Sequence, residues 1–321
     1  MRRFVVVLGF CAALAQPQAF AQSPGDPISW LGRIAAAGQR LTYSGVFIYQ
    51  SGKNFETSRI VHMADVNGER ERLEVLDGSP REVIRSNSEV RCVLPDQKTV
   101  IVDRPGGRRA FPSRLPASFA GLAENYRIRK GELGRVAGLD VQLVVLEPKD
   151  DLRYGYQLWA ELQSGLLLKA RTVDDHGEVI EQFTFSDVKI GGDISNDAFR
   201  PRYAKDGEWR IVHANGVEVR KDESGWGLNT PLAGFSLMSI VRRPLGRDRG
   251  EALHLVYSDG LAAISVFIEP AEGARQAIGP LASGAINIYK RTVGPYLVTA
   301  LGEVPLRTVQ RLGDGIEPIV R

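Results

Sequence analysis

The chain has 321 residues, of which 43% are hydrophobic and 25% are charged. These fractions are typical of globular proteins and exclude an intrinsically disordered chain. The 41 basic residues nearly balance the 38 acidic ones, for a net charge of +3, so the charge gives no indication of nucleic-acid binding. The length favours about two domains. No apolar run is long enough for a membrane-spanning helix, so we expect none in the mature protein.

The first 21 residues have the three-part order of a secretory signal peptide. Two arginines are followed by an apolar segment at Phe4–Leu14 and by the small-residue cleavage pattern AFA at residues 19–21. A short membrane anchor is the alternative, although the apolar segment is too short to span a bilayer. We therefore predict that the chain is exported and that the mature protein begins near Gln22.

Cleavage of this segment would remove Cys11 and leave Cys92 as the single cysteine. A single cysteine cannot form an intramolecular disulfide, and a chain of this length has enough core to fold without one. Cys92 shares one face of a predicted strand with Val90 and Leu94. We interpret it as a buried thiol, with a reactive or dimer-linking thiol as the alternative.

Residues 22–200 are predicted to form a mainly β N-terminal domain that begins with one helix. Asp26 and Pro27 are typical of a helix N-cap and first position, and apolar residues then recur at helical spacing up to Leu41. After this helix the apolar residues recur at every second position, which is the pattern of a β-strand. The predicted strands are Tyr43–Gln50, Ser58–Met63, Arg70–Leu76, Glu82–Ser86, Val90–Leu94, Thr99–Val102, Tyr126–Leu133, Leu139–Leu146, Tyr154–Glu161, Leu166–Val173 and Val179–Val188. A single antiparallel meander of about eleven strands must curl or close.

Several of these strands are apolar on both faces. In Tyr43–Gln50, Phe47 and Tyr49 lie on one face, while Val46 and Ile48 lie on the other. Such a sheet needs two covers. One cover can be a helix, and the other can be a second packed layer or a ligand cavity. The sequence leaves both alternatives open.

Residues 201–215 are polar and lack periodicity, so we predict a linker there. Residues 216–321 predict a smaller α+β domain. Its predicted strands are Val217–Arg220, Gly234–Arg243, Leu253–Tyr257, Ala262–Glu269, Ala285–Arg291 and Tyr296–Leu301. Pro305 is expected to open a short helix that ends at Gly313.

The sequence contains no motif of a known catalytic or metal site. It lacks a P-loop, a G-x-S-x-G elbow, a G-x-G-x-x-G loop and zinc-ligand spacing. His62 and His254 lie in predicted strands, and adjacent carboxylates such as Asp150 and Asp151 lie in loops, where such residues are usually solvated. We therefore predict no catalytic residue, no metal, no cofactor and no enzymatic activity. A binding or carrier role is favoured, with an unrecognised hydrolase as the alternative.

Five short stretches follow one another in order along residues 27–312. They are Asp77–Arg85 (DGSPREVIR), Tyr154–Trp159 (YGYQLW), Asp174–Phe183 (DDHGEVIEQF), Arg242–Leu245 (RRPL) and Leu255–Leu261 (LVYSDGL). Together they resemble the MucB/RseB family, the periplasmic regulators of the sigma-E (AlgU-type) envelope-stress response.

The resemblance implies an N-terminal domain similar to the lipoprotein carrier LolA, a half-open antiparallel β-barrel with helices, and a smaller C-terminal α+β domain. It implies a periplasmic regulator that binds the periplasmic segment of a transmembrane anti-sigma factor of the MucA or RseA type and shields it from site-1 proteolysis. A lipid or lipopolysaccharide signal would release that segment. A homo-oligomer is compatible with these features, and no nucleic-acid partner is expected. A periplasmic lipid or lipoprotein carrier is the alternative, although a simple carrier would not need the C-terminal domain.

The resemblance and the apolar strands together suggest candidate binding residues. The predicted lipid-binding residues are Phe47, Tyr49, Arg108, Arg109 and Arg114. The two aromatic side chains would contact acyl chains, and the arginines would contact phosphates. Arg242 and Arg243 are predicted to bind the partner. The alternative is that all of these arginines are solvated.

Overall fold

The computed structural model describes residues 26–103, 121–203, 208–244, 250–271 and 278–319. The predicted signal peptide lies outside the described residues. Among the residues that are described, every helix is too short or too polar to cross a lipid bilayer.

Helix α1 (Pro27–Arg40) begins where the sequence predicts. The carboxylate of the N-cap residue Asp26 accepts a hydrogen bond from the backbone N–H of Ile28, and proline at the first position needs no such partner. The apolar stripe of the helix buries Trp30, Leu31 and Ile34 against the N-terminal sheet. This helix is therefore the expected cover of one sheet face.

The N-terminal sheet contains twelve strands among the described residues. They are β1 (Tyr43–Ser51), β2 (Asn54–Asp65), β3 (Gly68–Val75), β4 (Glu82–Ser86), β5 (Glu89–Leu94), β6 (Thr99–Asp103), β7 (Tyr126–Val136), β8 (Leu139–Pro148), β9 (Gly155–Glu161), β10 (Leu167–Val173), β11 (Val179–Ile190) and β12 (Arg210–His213). The spatial order is β12-β6-β5-β4-β3-β2-β1-β11-β10-β9-β8-β7, so the sheet is open with β12 and β7 at its edges. A short helix, α2 (Leu122–Asn125), precedes β7.

The first eleven strands confirm the predicted β region, but they do not form a single meander. β1 pairs with β11, so that two meanders, β1–β6 and β7–β11, join along this seam. Ser186 forms a bulge there, and Gly45 is in close contact with the neighbouring strand. A Cβ on Gly45 would lie 2.4 Å from the carbonyl oxygen of Asp187, so only glycine fits.

The described part of the C-terminal domain contains a second sheet and one longer helix. Its elements are β13 (Val217–Glu218), α3 (Lys221–Ser224), β14 (Trp226–Leu228), β15 (Ser236–Pro244), β16 (Glu251–Ser258), β17 (Ala263–Pro270), β18 (Gly279–Ser283), β19 (Ile286–Val293), β20 (Tyr296–Gly302), α4 (Leu306–Gly315) and β21 (Ile316–Pro318). The sheet has the order β13-β15-β16-β17-β20-β19-β18, and β14 pairs with β21. Helix α4 buries Val309 and Leu312 in the core of this domain. A mainly β, two-domain architecture is thus confirmed.

The prediction that Gly313 ends the last helix is wrong. Helix α4 continues to Gly315, and Ile316 is its C-cap. A Cβ on Gly313 would lie 2.7 Å from a ring carbon of Tyr289. The glycine therefore allows the helix to pack closely on β19 and does not terminate it.

Two predictions about strand faces are also wrong. Cys92 is half-buried, because the buried side of β5 is the one that holds Val93. On β1, the inner face is buried as expected, but Ile48 on the outer face is 42% exposed. At this position the expected second cover is not found among the described residues.

Candidate functional site

A cavity of about 310 Å³ lies between the N-terminal sheet and the C-terminal domain. Its apolar wall continues the core beneath helix α1. The main apolar lining residues are Phe47, Leu73, Tyr156, Leu158, Leu167 and Phe183. The ring of Phe47 meets that of Phe183 edge-on at a centroid distance of 6.0 Å, so β1 and β11 form one aromatic wall. A cavity of this kind fits an apolar chain.

One end of the cavity is polar. The Tyr49 hydroxyl donates a hydrogen bond to Oε2 of Glu181 at 2.7 Å, and the Thr172 hydroxyl donates to Oε1 at 3.1 Å. Burial raises the pKa of Tyr49 above its ordinary value, and the negative charges of Glu181 and Glu303 raise it further. The phenol therefore remains protonated and keeps its donor role.

The C-terminal domain supplies part of this cavity. Leu261 and Glu303 line it together with the strands of the N-terminal sheet, and Leu261 also packs against the N-terminal core. The turn that contains Leu261 is fixed by Asp259, whose Oδ1 accepts the backbone N–H groups of Leu261 at 2.9 Å and Ala262 at 2.8 Å. The position of Leu261 in the wall thus depends on Asp259.

Asp259 is also half of a buried ion pair between the domains. Its Oδ2 accepts hydrogen bonds from Nη1 of Arg153 at 2.7 Å and from the Tyr126 hydroxyl at 2.9 Å. The side chains of Arg153 and Asp259 are both 0% exposed. Arg153 also donates two hydrogen bonds to the carboxylate of Asp150 and one, of 2.8 Å, to the carbonyl oxygen of Ala233. Because both charges are paired and saturated with hydrogen bonds, the structure tolerates their burial.

Helix α4 makes a second contact between the domains. Arg307 pairs with Asp151 at 2.9 Å, and the Thr308 hydroxyl donates to the carbonyl oxygen of Leu152 at 2.8 Å. The hydrogen bond from Arg307 lowers the pKa of Asp151. The loop carboxylates Asp150 and Asp151, which the sequence predicts to be solvated turn residues, instead each bind an arginine. Asp151 therefore contacts the C-terminal domain directly, whereas Asp150 holds Arg153, which pairs with Asp259 of that domain.

The predicted site residues lie in three different places. Phe47 and Tyr49 both line the cavity. The predicted lipid-binding residues Arg108, Arg109 and Arg114 lie outside the described residues. Arg242 and Arg243 are both described, and they lie in β15 beside the linker.

The two arginines of β15 have different surroundings. Nη1 of Arg243 donates to the carbonyl oxygen of Ala214 at 2.7 Å and lies 3.3 Å from Oδ2 of Asp103, so this side chain joins the linker to the N-terminal sheet. Arg242 is 48% exposed and lies 3.8 Å from Glu251. Arg242 is therefore the more accessible of the pair. A partner contact of either arginine stays a prediction.

Sequence reasoning did not identify four residues that form the contact between the two domains or line the cavity beside it. Arg153, Asp259, Leu261 and Glu303 lie far apart in the chain and meet only in the folded protein. Asp259 and Leu261 fall within the LVYSDGL stretch, and the resemblance of that stretch to the family was the only feature of the sequence that pointed to them. Within the part of the chain that the structure describes, no group of three or more His, Cys, Asp or Glu side chains is arranged to hold a metal ion.

Comparisons with known proteins match the whole of this architecture. Residues 26–203 match the model of the MucB/RseB N-terminal domain, and residues 220–317 match that of the MucB/RseB C-terminal domain. The sigma factor AlgU regulatory protein MucB of Pseudomonas aeruginosa is 31% identical over 98% of this chain and 96% of its own length. The sigma-E factor regulatory protein RseB of Escherichia coli is 25% identical, covering 89% of both chains.

Solved structures agree with these matches. The crystal structure of MucB in complex with MucA(peri) is 29% identical, with a TM-score of 0.71, over 92% of this chain and 100% of that chain. The crystal structure of MucB alone is 27% identical, with a TM-score of 0.68, over 92% of this chain and 98% of that chain.

Proposed function

The chain belongs to the MucB/RseB family, and from this premise we propose that it is a periplasmic regulator that binds the periplasmic segment of a transmembrane anti-sigma factor. The bound segment, of the MucA or RseA type, is shielded from site-1 proteolysis. A lipid or lipopolysaccharide signal then releases it, and the envelope-stress response begins.

One observation supports this proposal above all others. The protein whose fold matches 92% of this chain with a TM-score of 0.71 was solved in complex with MucA(peri). The match extends over both domains and therefore includes the surface along which the two domains meet. Reversible binding of a disordered segment suits a regulator. The segment loses conformational entropy when it becomes ordered on the protein, so its affinity is reduced and it is easily displaced.

The cavity supports the lipid-response part of the proposal. A ligand can shift an equilibrium only by its differential affinity for two states. Leu261 of one domain and Phe47 of the other line the same space, so a ligand there contacts both domains and can favour one arrangement of them. In this proposal Phe47 and Tyr49 contact the acyl chain, Arg108, Arg109 and Arg114 contact its phosphates, and Arg242 and Arg243 contact the anti-sigma segment.

A protease-protection assay tests the proposal. The periplasmic segment of the anti-sigma factor is incubated with the site-1 protease, with and without the mature chain. We expect the chain to slow cleavage and an added lipid signal to restore it. The coupling is reciprocal, so lipid must weaken segment binding by the same factor by which the segment weakens lipid binding. Cleavage at the same rate with and without the chain would contradict the proposal.

A second candidate function is a periplasmic lipid or lipoprotein carrier, which the apolar cavity favours. A carrier would accelerate lipid transfer between vesicles and would leave cleavage of the anti-sigma segment unchanged. The two assays therefore separate the candidates.

We also propose that the chain reaches the periplasm by cleavage of the signal peptide after Ala21. The intact mass of the protein purified from the periplasmic fraction should then begin at Gln22. A mass that retains Met1 would contradict export by cleavage.

A further inference from the structure

The outer face of the N-terminal sheet has no cover at Ile48 among the described residues, and this side chain is 42% exposed. The register of the sheet continues from Ile48 to Thr184 of β11, then to Lys169 of β10 and to Trp159 of β9. These four residues therefore form one row across four neighbouring strands, on the same face. Neighbouring strands lie about 4.8 Å apart, so the row is about 14 Å long.

A second row of outer-face residues runs beside the first. Arg171 of β10 lies between Gln157 of β9 and Gln182 of β11, and Gln50 of β1 follows Gln182. Nε of Arg171 donates a hydrogen bond to Oε1 of Gln182 at 3.0 Å, and Nε2 of Gln182 donates to Oε1 of Gln50 at 3.0 Å. This row therefore places one cation among neutral amide side chains.

The cations of the two rows share one aromatic ring. Nζ of Lys169 lies 4.8 Å from the centre of the Trp159 ring, and the guanidinium carbon of Arg171 lies 5.4 Å from it. The residues that face these two cations on the adjacent strands are all uncharged. Burial lowers the pKa of Lys169, and the positive charge of Arg171 lowers it further. Positive charge is therefore concentrated at this ring, with no carboxylate opposite it on either adjacent strand.

The same face carries further charges toward the sheet edge. Arg127 and Arg129 of β7 are 74% and 53% exposed and share the carboxylate of Glu147, at 3.8 Å and 2.8 Å. On the other side of Ile48, the exposed carboxylate of Asp187 faces β1. Counting Lys169 and Arg171 with these side chains, four cations accompany two carboxylates. This part of the outer face is therefore complementary to a negatively charged surface.

We propose that an outer patch, made of Ile48, Trp159, Lys169, Arg171 and Gln182, docks the protein on an anionic lipid surface. Lys169 and Arg171 contact the lipid phosphates, while Trp159 and Ile48 reach the boundary between head groups and acyl chains. Tryptophan is enriched at this boundary, and each basic residue near an anionic membrane is attracted to it.

The sheet favours a lipid surface over an acidic peptide as the occupant. Strands β9, β10, β11 and β1 each have a hydrogen-bonded neighbour on both sides. A peptide therefore cannot add to the sheet as a further strand at the outer patch, and it would contact side chains only. Docking goes beyond the proposed function, because it does not use the cavity on the inner face. It would hold the protein at the membrane that anchors a transmembrane anti-sigma factor, and so raise the local concentration of the two partners.

Sedimentation with vesicles tests the inference. The mature chain is mixed with vesicles of phosphatidylcholine, either alone or with added phosphatidylglycerol. We expect it to sediment only with the anionic vesicles. Binding should weaken when the ionic strength rises from about 0.01 M to about 0.1 M, because the Debye length shortens from about 30 Å to about 10 Å.

Variants of the outer patch locate the contact. Lys169→Gln and Arg171→Gln should each lower the partition coefficient into anionic vesicles by about fivefold, which corresponds to about 1 kcal/mol for each basic residue. Lys221→Gln and Arg210→Gln are the matched controls, because these exposed residues of α3 and β12 remove the same charges outside the patch. Brominated lipids should quench the tryptophan fluorescence of the wild type, and Trp159→Phe should remove most of that quenching.

Several results would overturn this inference. They are equal binding to both kinds of vesicle, no binding to either kind, and partition of the patch variants at the value of their controls. A soluble inorganic phosphate that changes the Trp159 fluorescence, without any binding to vesicles, would likewise overturn it and leave a simple anion site. Binding of lipid through the cavity would persist in Lys169→Gln and Arg171→Gln. Shielding of a soluble anti-sigma segment is measured without vesicles, so the proposed function stands or falls separately.

Discussion

The buried ion pair between Arg153 and Asp259 should dominate the coupling of the two domains. We consider Asp259→Ala, which removes the carboxylate that accepts hydrogen bonds from Arg153 and Tyr126 and from two backbone N–H groups of its own turn. The guanidinium of Arg153 would stay buried, with Asp150 as its remaining carboxylate partner among the described residues.

The size of the effect follows from these contacts. Removing one member of a buried ion pair costs about 3–5 kcal/mol, since the other charge is left uncompensated. We therefore expect Asp259→Ala to lower the free energy of unfolding by about 3–5 kcal/mol.

Urea denaturation, followed by fluorescence and circular dichroism, measures this loss. Arg153→Leu and the double variant complete a thermodynamic cycle. The double variant should cost less than the two single variants combined, by about 1–3 kcal/mol, because it leaves no unpaired charge. Glu89→Ala is the control, since the ion pair of Glu89 with Arg91 is exposed and should contribute less than about 1 kcal/mol.

A loss for Asp259→Ala no larger than that for Glu89→Ala would refute this reasoning. It would mean that water reaches the pair or that the domains do not meet at Asp259. Additive single and double variants would likewise show that the two charges do not interact.

Three further predictions concern the N-terminal domain. Gly45→Ala should destabilise it by about 1–3 kcal/mol, because the new Cβ would lie 2.4 Å from a backbone carbonyl oxygen of β11, whereas Gly134→Ala has no contact closer than 3.7 Å and should cost little; thermal denaturation compares the two. Burial acts to raise the pKa of Glu161, but hydrogen bonds from Ser164 lower it overall, below the ordinary 4.5. Ionised Glu161 thus stabilises the folded state above that pH, and this contribution disappears as the pH falls through the folded pKa. In Glu161→Gln the free energy of unfolding should therefore decrease less steeply as the pH is lowered. Burial raises the pKa of the Cys92 thiol, so iodoacetamide should label the folded protein more slowly than the unfolded one at neutral pH.

Each of these has a clear contrary result. Equal melting temperatures for the two alanine variants would show that β1 and β11 separate without cost. An unchanged acid profile for Glu161→Gln would mean that this carboxylate is not held in its ionised form. Equal labelling rates for folded and unfolded protein would place Cys92 in full contact with solvent.

Local patterns in the sequence predicted the elements well but not their long-range pairing. The alternation of apolar residues predicted most of the strands, and the Asp26-Pro27 pair predicted where α1 begins. The pairing of β1 with β11 joins segments that are distant in the chain, and alternation carries no information on which strands become neighbours. Strand β12 was missed because only four residues pair, at an exposed edge within the predicted linker.

The candidate site was predictable only in part, for a similar reason. Phe47 and Tyr49 were predicted to bind lipid, and both line the cavity, whereas a lipid contact of either residue stays a prediction. Leu261 and Glu303 reach the same cavity from the other domain, and no local pattern reports that contact. Arg153 stands in a charged loop that resembles a solvated turn, yet its partners bury it completely.

The most direct test of the proposed function is a titration of the mature chain with the periplasmic segment of the anti-sigma factor from the organism that makes this protein. We predict saturable binding with a Kd of about 1 μM or tighter, which weakens when a lipid signal is added. A segment that does not bind at concentrations about a hundredfold higher, to a chain whose fold is verified by circular dichroism, would contradict the proposal.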